Sequence, residues 1–362
     1  MEKVIDHIKR LDWVIVFVAI TLSLIGILSI YGFNESNLAM AQKQVFFLCL
    51  GVFLMILVSF FDWRILKENP YLILSLYFVG IILLLGLFVF APAVRDVRRW
   101  YLIGPFSFDP VEFVKLVLIV LLAKYFSSRH IEMYKIRHIF LSGLYIAIPS
   151  FITFFQPDLG SSIILVFLWV GILVLSGIKI KHFLILVLIG SLLLVVGWSF
   201  LLKDYQKSRI IGFLEPAADI QGSGWNLEQA KIAIGSGGIW GAGIGSGSQT
   251  RYGFLPEAKT DFIFAAIAEE MGFVGVSILF LLFFILVWRI LRIIFQSTDN
   301  FSRIICSGFL IMVISQVFIN IGMNQGLLPI VGIPLPLVSY GGSSLIFTFI
   351  GLGLIQSIYS KA

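Results

Sequence analysis

The chain has 362 residues, 59% of them hydrophobic and only 13% charged, with a formal net charge of +6. A soluble domain carries roughly twice that charge fraction, so a soluble enzyme or binding module is excluded. Apolar runs of about 20 residues, enough to cross a hydrocarbon core, recur along the whole chain; their continuity, without alternation, argues against a membrane β-barrel.

The runs predict an all-α integral membrane protein with ten spans, at about 13–33, 44–61, 71–90, 111–126, 139–155, 159–176, 183–202, 263–288, 303–322 and 343–359. Together they make one polytopic domain over 1–362, with a large extracytoplasmic loop, 203–262, between spans seven and eight. The first span is too long for a removable signal peptide and has no small-residue cleavage site, so it reads as a signal anchor. With the N-terminus inside, fourteen Lys and Arg fall in cytoplasmic segments, against Lys43, Arg95, Arg98 and Arg99 in short outward loops. By the positive-inside rule both termini are cytoplasmic. That bias accounts for the net charge, and nucleic acid is not needed to explain it. Cys49 and Cys306 both fall inside predicted spans and are not expected to form a structural disulfide. His7, His130, His138 and His182 lie near the cytoplasmic side and read as solvated loop residues, not metal ligands.

In chain order, the first departure from plain spans is 91–110, APAVRDVRRWYLIGPFSFDP, which places Arg95, Arg98 and Arg99 where insertion disfavours them. Something anionic should offset that disadvantage. Glu112 and Lys115 follow at the start of span four, three residues apart and therefore on one helix face. They are either an internal ion pair or part of a site. Asp158, in FQPDLGSS at the mouth of span six, is either a helix N-cap or functional. In the outward loop, GSGGIWGAGIGSGSQ has neither GxxxxGK[ST] nor GxGxxG spacing, so its glycines are assigned to close packing or flexibility and not to a nucleotide.

The next stretch, LPEAKTDFIFAAIAEEMG (255–272), places Glu257, Asp261, Glu269 and Glu270 at or inside the start of an apolar helix. Carboxylates at membrane depth are costly and default to functional hypotheses, although Thr260 or Asp261 as a helix cap would contribute about 1 kcal/mol on its own. Finally, 323–342, MNQGLLPIVGIPLPLVSYGG, is apolar but too rich in Gly and Pro for a straight helix. Irregular backbone at that depth is tolerated when buried or lining a cavity.

Taken together, LPEAKTDFIFAAIAEEMG, QPDLGSS, RRW and NIGMNQGLLPIVGIPLPLVSYGGSS (320–344) resemble the SEDS family of shape, elongation, division and sporulation proteins, over nearly the whole chain. GIPLPLVSYGG and the short N-terminus resemble the RodA-like elongation branch more than the division branch. Two positions depart from the family: Lys259 stands where a histidine is usual, and Asp109-Pro110-Val111-Glu112 replaces Gln-Pro-Ser-Glu. The resemblance implies a peptidoglycan glycosyltransferase that polymerises lipid II at the outer face of the bacterial plasma membrane. It also implies a class B penicillin-binding protein, a transpeptidase, as partner.

On that reading Asp261 is the essential carboxylate, a general base for the acceptor sugar hydroxyl. Glu257, Glu269 and Glu270 take supporting or structural roles. Arg98, Arg99, Arg209 and Lys259 are cations suited to the departing polyprenyl pyrophosphate. Trp100 packs at the interface, and Glu112, Lys115 and Asp158 complete the substrate site. No metal-ligand motif is present, and a divalent cation is left open. Two rivals belong to other classes: a flippase for the same lipid, which would use the broken backbone of 323–342, and a non-catalytic scaffold, in which Asp261 only caps a helix.

Overall fold

The computed structural model describes residues 2–32, 38–92, 98–104, 106–128, 136–200, 204–215 and 222–361. Arg95, Arg129, His130 and Lys135 lie outside these residues.

Eight helices are long and apolar enough to cross a membrane. They are α2 (Trp13–Gly32), α3 (Leu38–Phe60), α5 (Pro70–Phe90), α7 (Ile136–Phe155), α9 (Ile180–Phe200), α13 (Ile263–Gln296), α14 (Asn300–Gln325) and α15 (Gly342–Ser360). The two other predicted spans coincide with α6 (Pro110–Ser127), which carries Glu112, Lys115 and Lys124, and with the shorter α8 (Leu159–Leu175). The protein is a multi-pass helical membrane protein.

Several short elements were not legible in the sequence: α1 (Glu2–Lys9), α4 (Arg64–Glu68), and a hairpin of β1 (Tyr101–Ile103) and β2 (Phe106–Phe108) paired Tyr101 to Phe108. The 203–262 segment, expected as a loop, holds α10 (Asp204–Leu214), α11 (Ser223–Ser236) and α12 (Ser248–Arg251), with α11 packed on α13 and α14. Its side against the bundle is buried at Leu227, Ala230 and Ala233.

Helix α13 continues to Gln296, past the expected end near 288. Arg289 lies within this extension, and Asp12 pairs with its guanidinium at 2.5 Å. The same Asp12 caps α2 through Val14 N–H, and its backbone exchanges two hydrogen bonds with Gln356 of α15. One residue thus ties α2, α13 and α15 together at one end of the bundle. Along α3 and α15 small residues allow close approach: a Cβ on Gly353 would lie 2.6 Å from the Met55 carbonyl oxygen.

Both cysteines are free, Cys49 exposed and Cys306 buried. His138 is not a solvated loop residue. It is buried on α7, with its Nδ1 2.9 Å from the Tyr125 hydroxyl.

Candidate active site

All four carboxylates of the acidic stretch precede a kink in α13, with Glu269 and Glu270 next to it and Asp261 just before the helix start. Gly272 has φ 62° and ψ −161°, which breaks α13 after its first turns. Around this kink the glycine-rich segment docks edge-on: Ala242 and Gly243 N–H donate to the carbonyls of Glu269 and Glu270, and Phe273 and Val274 N–H donate to Gly238 and Ile239. A Cβ on Gly241 would lie 2.1 Å from the Glu270 carbonyl oxygen, so close packing is what these glycines provide.

The side chains of Glu269 and Glu270 fasten the same segment. Glu269 accepts from Gln249 and Thr250 N–H at 2.7 and 3.0 Å, holding the start of α12. Glu270 accepts from Gly245 N–H at 2.9 Å and from the Ser29 hydroxyl of α2 at 2.8 Å. Both are 1% exposed, and their carboxylates are committed to the fold. Glu257 is exposed and accepts from the Thr260 hydroxyl at 3.2 Å.

Asp261 differs from all three. Helix α13 begins at Ile263 with Phe262 as its N-cap and no capping side chain, so neither Asp261 nor Thr260 caps it. The cap comes from another helix: Asn324 Oδ1 accepts from Ala265 N–H at 3.1 Å. The Asp261 backbone is clamped from α14, where Nδ2 of Asn320 and of Asn324 donate to its carbonyl at 3.0 and 2.9 Å.

The irregular 326–341 segment completes the clamp. The Ser339 hydroxyl donates to the Thr260 carbonyl at 2.6 Å, Tyr340 N–H donates to the Lys259 carbonyl at 2.8 Å, and Asn320 also donates to Ile333 O at 2.8 Å. The broken backbone is therefore buried and paired, and it holds the catalytic candidate in place. Gly332, at φ 73°, lies beside the carboxylate, and a Cβ there would be 3.4 Å from Asp261 Oδ2.

Among the described residues no hydrogen bond engages the Asp261 carboxylate oxygens, which leaves them able to accept a proton. The residue keeps some surface, but its carboxyl group sits among protein atoms. Burial pushes that carboxyl up to about 6, against the opposing pull of Arg99 and Arg209.

Beside it lies a buried ion network. Arg99 Nε donates to Asp109 Oδ2 at 2.6 Å and lies 3.2 Å from Asp158 Oδ2. Both carboxylates are helix N-caps: Asp109 accepts from Val111 N–H of α6, and Asp158 from Ser161 N–H of α8. The N-cap reading of Asp158 holds, and the same carboxylate also faces Arg99. Burial lowers the Arg99 guanidinium, but Asp109 and Asp158 outweigh it and raise the group overall. The anion that offsets this loop arginine is thus the protein's own. Arg99 also lies over the Trp100 ring, 5.7 Å from its centroid.

Glu112 and Lys115 pair at 2.6 Å, both almost fully buried, and Glu112 Oε1 has no hydrogen-bond partner among the described residues. Glu112 contributes to the electrostatics of Arg99, as Arg209 does to those of Asp261, so Asp109, Glu112, Asp158, Arg99, Arg209 and Asp261 share one charged region. Two predicted cations have other contacts: Arg98 Nη1 donates to the Phe88 carbonyl at 2.6 Å, and Lys259 Nζ lies 3.6 Å from Met40 Sδ. Burial lowers the Lys259 ammonium, against the pull of Glu257.

The positioning roles of Asn320, Asn324 and Ser339, and the ion pair of Asp109, were not anticipated. One signal for the asparagines was available: two amides four residues apart share a face of an otherwise apolar helix.

Comparison with known proteins agrees with this architecture. The family described as "Cell cycle protein" (FtsW/RodA/SpoVE) matches residues 9–362. "Peptidoglycan glycosyltransferase MrdB" of Escherichia coli (strain K12) is 34% identical, over 97% of this chain and 94% of that protein. "Stage V sporulation protein E" of Bacillus subtilis (strain 168) is 34% identical, over 97% and 98%. A solved structure described as "Structural coordination of polymerization and crosslinking by a peptidoglycan synthase complex" superposes with a TM-score of 0.83 at 30% identity, covering 97% of this chain and 98% of that one. The Rod shape determining protein RodA of Thermus thermophilus superposes with a TM-score of 0.72 at 28% identity, over 96% of both. The chain belongs to the SEDS family and is RodA-like within it.

Proposed function

We propose that the protein is a peptidoglycan glycosyltransferase that polymerises lipid II into glycan strands during cell-wall elongation. The carrying observation is Asp261, whose backbone is clamped by two asparagines, whose carboxylate is unengaged among the described residues, and whose carboxyl is raised to about 6. Such a group is ionised at neutral pH yet basic enough to take the proton of an acceptor sugar hydroxyl as it attacks the anomeric carbon. The polyprenyl pyrophosphate then departs. Arg209, Arg98 and Lys259 are the cations assigned to its charge, while Arg99 is taken up by Asp109 and Asp158.

The orientation belongs to the same proposal. It has ten spans, both termini cytoplasmic, and Asp261 at the outer face of the bacterial plasma membrane. The Lys and Arg distribution and the alternation of helix ends support it. A class B penicillin-binding protein is the proposed partner, supported by the likeness to a chain of a peptidoglycan synthase complex.

The test is strand synthesis from purified lipid II in a transpeptidase-blocked mixture, wild type against Asp261→Asn. The substitution preserves size and removes only the base. Loss of polymerisation by about 10²-fold or more, in folded protein, is expected. Near-normal synthesis by the Asn variant would remove Asp261 from the chemistry.

A further inference from the structure

At the end of the bundle remote from Asp261, the segment after α1 meets the last turns of α13 and α15 around an open cleft of about 550 Å³. Lys9 and Arg10 line it, with Leu11 and Ile293 as apolar surface and Gln296 and Tyr359 as polar groups. Both cations are exposed, and among the described residues neither has a carboxylate partner. Other cations at this end are held by the protein: Arg289 by Asp12 at 2.5 Å, Lys67 by Asp299 at 2.6 Å, and Lys361 by the carbonyls of Phe60 and Phe61.

Membrane depth is marked independently. Trp13, half exposed, donates its indole N–H to Ile8 O at 3.2 Å, and Val4 and Ile5 are exposed on α1 beside its polar residues. A tryptophan at a span end and a short amphipathic helix both belong at the headgroup level. Insertion bias requires cations near a span end. It does not require them to be gathered in a cleft with groups from α13 and α15.

We propose that this cleft binds the phosphate headgroup of an anionic phospholipid, with Lys9 and Arg10 contacting the phosphate and Leu11 and Ile293 lying against the glycerol and upper acyl region. Basic pockets between membrane helices suit such headgroups, and the apolar lining favours a lipid over free phosphate. Occupancy would brace α1 and α2 against the ends of α13 and α15, which Asp12 already joins.

The experiment is native mass spectrometry of the full chain released from detergent micelles containing phosphatidylglycerol or phosphatidylcholine. Preferential retention of phosphatidylglycerol is expected. Lys9→Gln and Arg10→Gln should each reduce it about fivefold, while Arg292→Gln, on α13 but outside the cleft, should leave it unchanged. Both cleft substitutions fall on exposed side chains, so the single variants should fold, and their unliganded melting temperatures check this. Equal retention in the cleft variants overturns the proposal. So does an equal loss in Arg292→Gln, which would indicate general surface attraction. Displacement by millimolar inorganic phosphate overturns the lipid assignment in favour of a free phosphate site.

Discussion

Replacing Asn324 by alanine tests whether the clamp, and not merely the presence of a carboxylate, makes the site. Asn324 is fully buried and makes three contacts: it donates to Asp261 O at 2.9 Å and to Asn320 O at 2.7 Å, and accepts from Ala265 N–H at 3.1 Å. The alanine variant orphans the Ala265 N–H, at a cost of about 1–3 kcal/mol for an unsatisfied buried donor. Asp261 O keeps one donor, Asn320, at 3.0 Å. The stability loss should therefore be about 2–4 kcal/mol, the upper part coming from the two lost donations. Catalysis should suffer separately, because a displacement of about 1 Å in a reacting group costs on the order of 10²-fold. The assay is polymerisation per folded enzyme, with kcat and KM separated and a parallel melting curve. A positioning role predicts a kcat loss at nearly constant KM. The double variant Asn320→Ala/Asn324→Ala, with no side-chain donor left on Asp261 O, should lose more than either single. If Asn324→Ala melts earlier but turns over normally per folded molecule, the clamp is structural and the positioning argument fails.

The raised carboxyl sets the pH response. Because the base must be ionised, kcat/KM should fall tenfold per unit below about 6 and level off above it. Arg209 pulls that value down, so Arg209→Gln should move the acid limb to higher pH, and an unmoved limb would remove Asp261 as the titrating group. Stability carries the opposite sign. A folded-state value above the ordinary 3.8 means that ionised Asp261 costs stability above about 6, so Asp261→Asn should melt later than wild type at pH 8, with the gain vanishing below pH 3.8. Arg99→Ala should lose folded protein, whereas Arg98→Ala should fold normally and use lipid II less well; normal kinetics in Arg98→Ala would reduce that residue to an interface anchor. In a cysteine-free background, Ser246→Cys should react with an impermeant thiol reagent added outside intact cells and Lys179→Cys should not. The reverse pattern would invert the proposed orientation.

The spans were legible because continuous apolar runs need no tertiary information, and the observed helices begin and end within a few residues of most of them. Where the limits differ, charge at the span end misled: α13 runs on through Arg289, which Asp12, 277 residues earlier, neutralises. The helices of 203–262 stayed hidden because α10 and α11 are not strongly apolar, and α11 is fixed largely by its buried side against α13 and α14. Within the site, Asp158 was legible as a cap from its own neighbours, and Glu112–Lys115 from helix spacing. For Asp261 the resemblance pointed to a general base and its position to a helix cap, and the sequence left the two unresolved. Its carboxylate is recognisable as uncommitted only once Asn324, 59 residues beyond Ala265, is seen to supply the cap expected of Asp261. Glu269 and Glu270, eight and nine residues on and chemically alike to it, are tied down by backbone N–H groups of a segment whose path no local pattern encodes.

Arg99 shows why the charges around Asp261 act as a set. Its guanidinium lies between two carboxylates, each at the start of a helix whose dipole already favours a negative charge there. Removing it leaves both carboxylates buried without their cation, and breaking a buried pair by deleting one partner costs about 3–5 kcal/mol. A dead Arg99 variant is therefore uninformative about pyrophosphate. Arg98 is the better probe, since its Nη1 is held by a carbonyl at an exposed position and no buried carboxylate among the described residues depends on it. The same arithmetic explains how a base of intermediate strength arises. Burial is the largest influence and pushes the Asp261 carboxyl up, Arg99 and Arg209 pull it down, Glu257 and Asp158 push it up again, and it settles near 6.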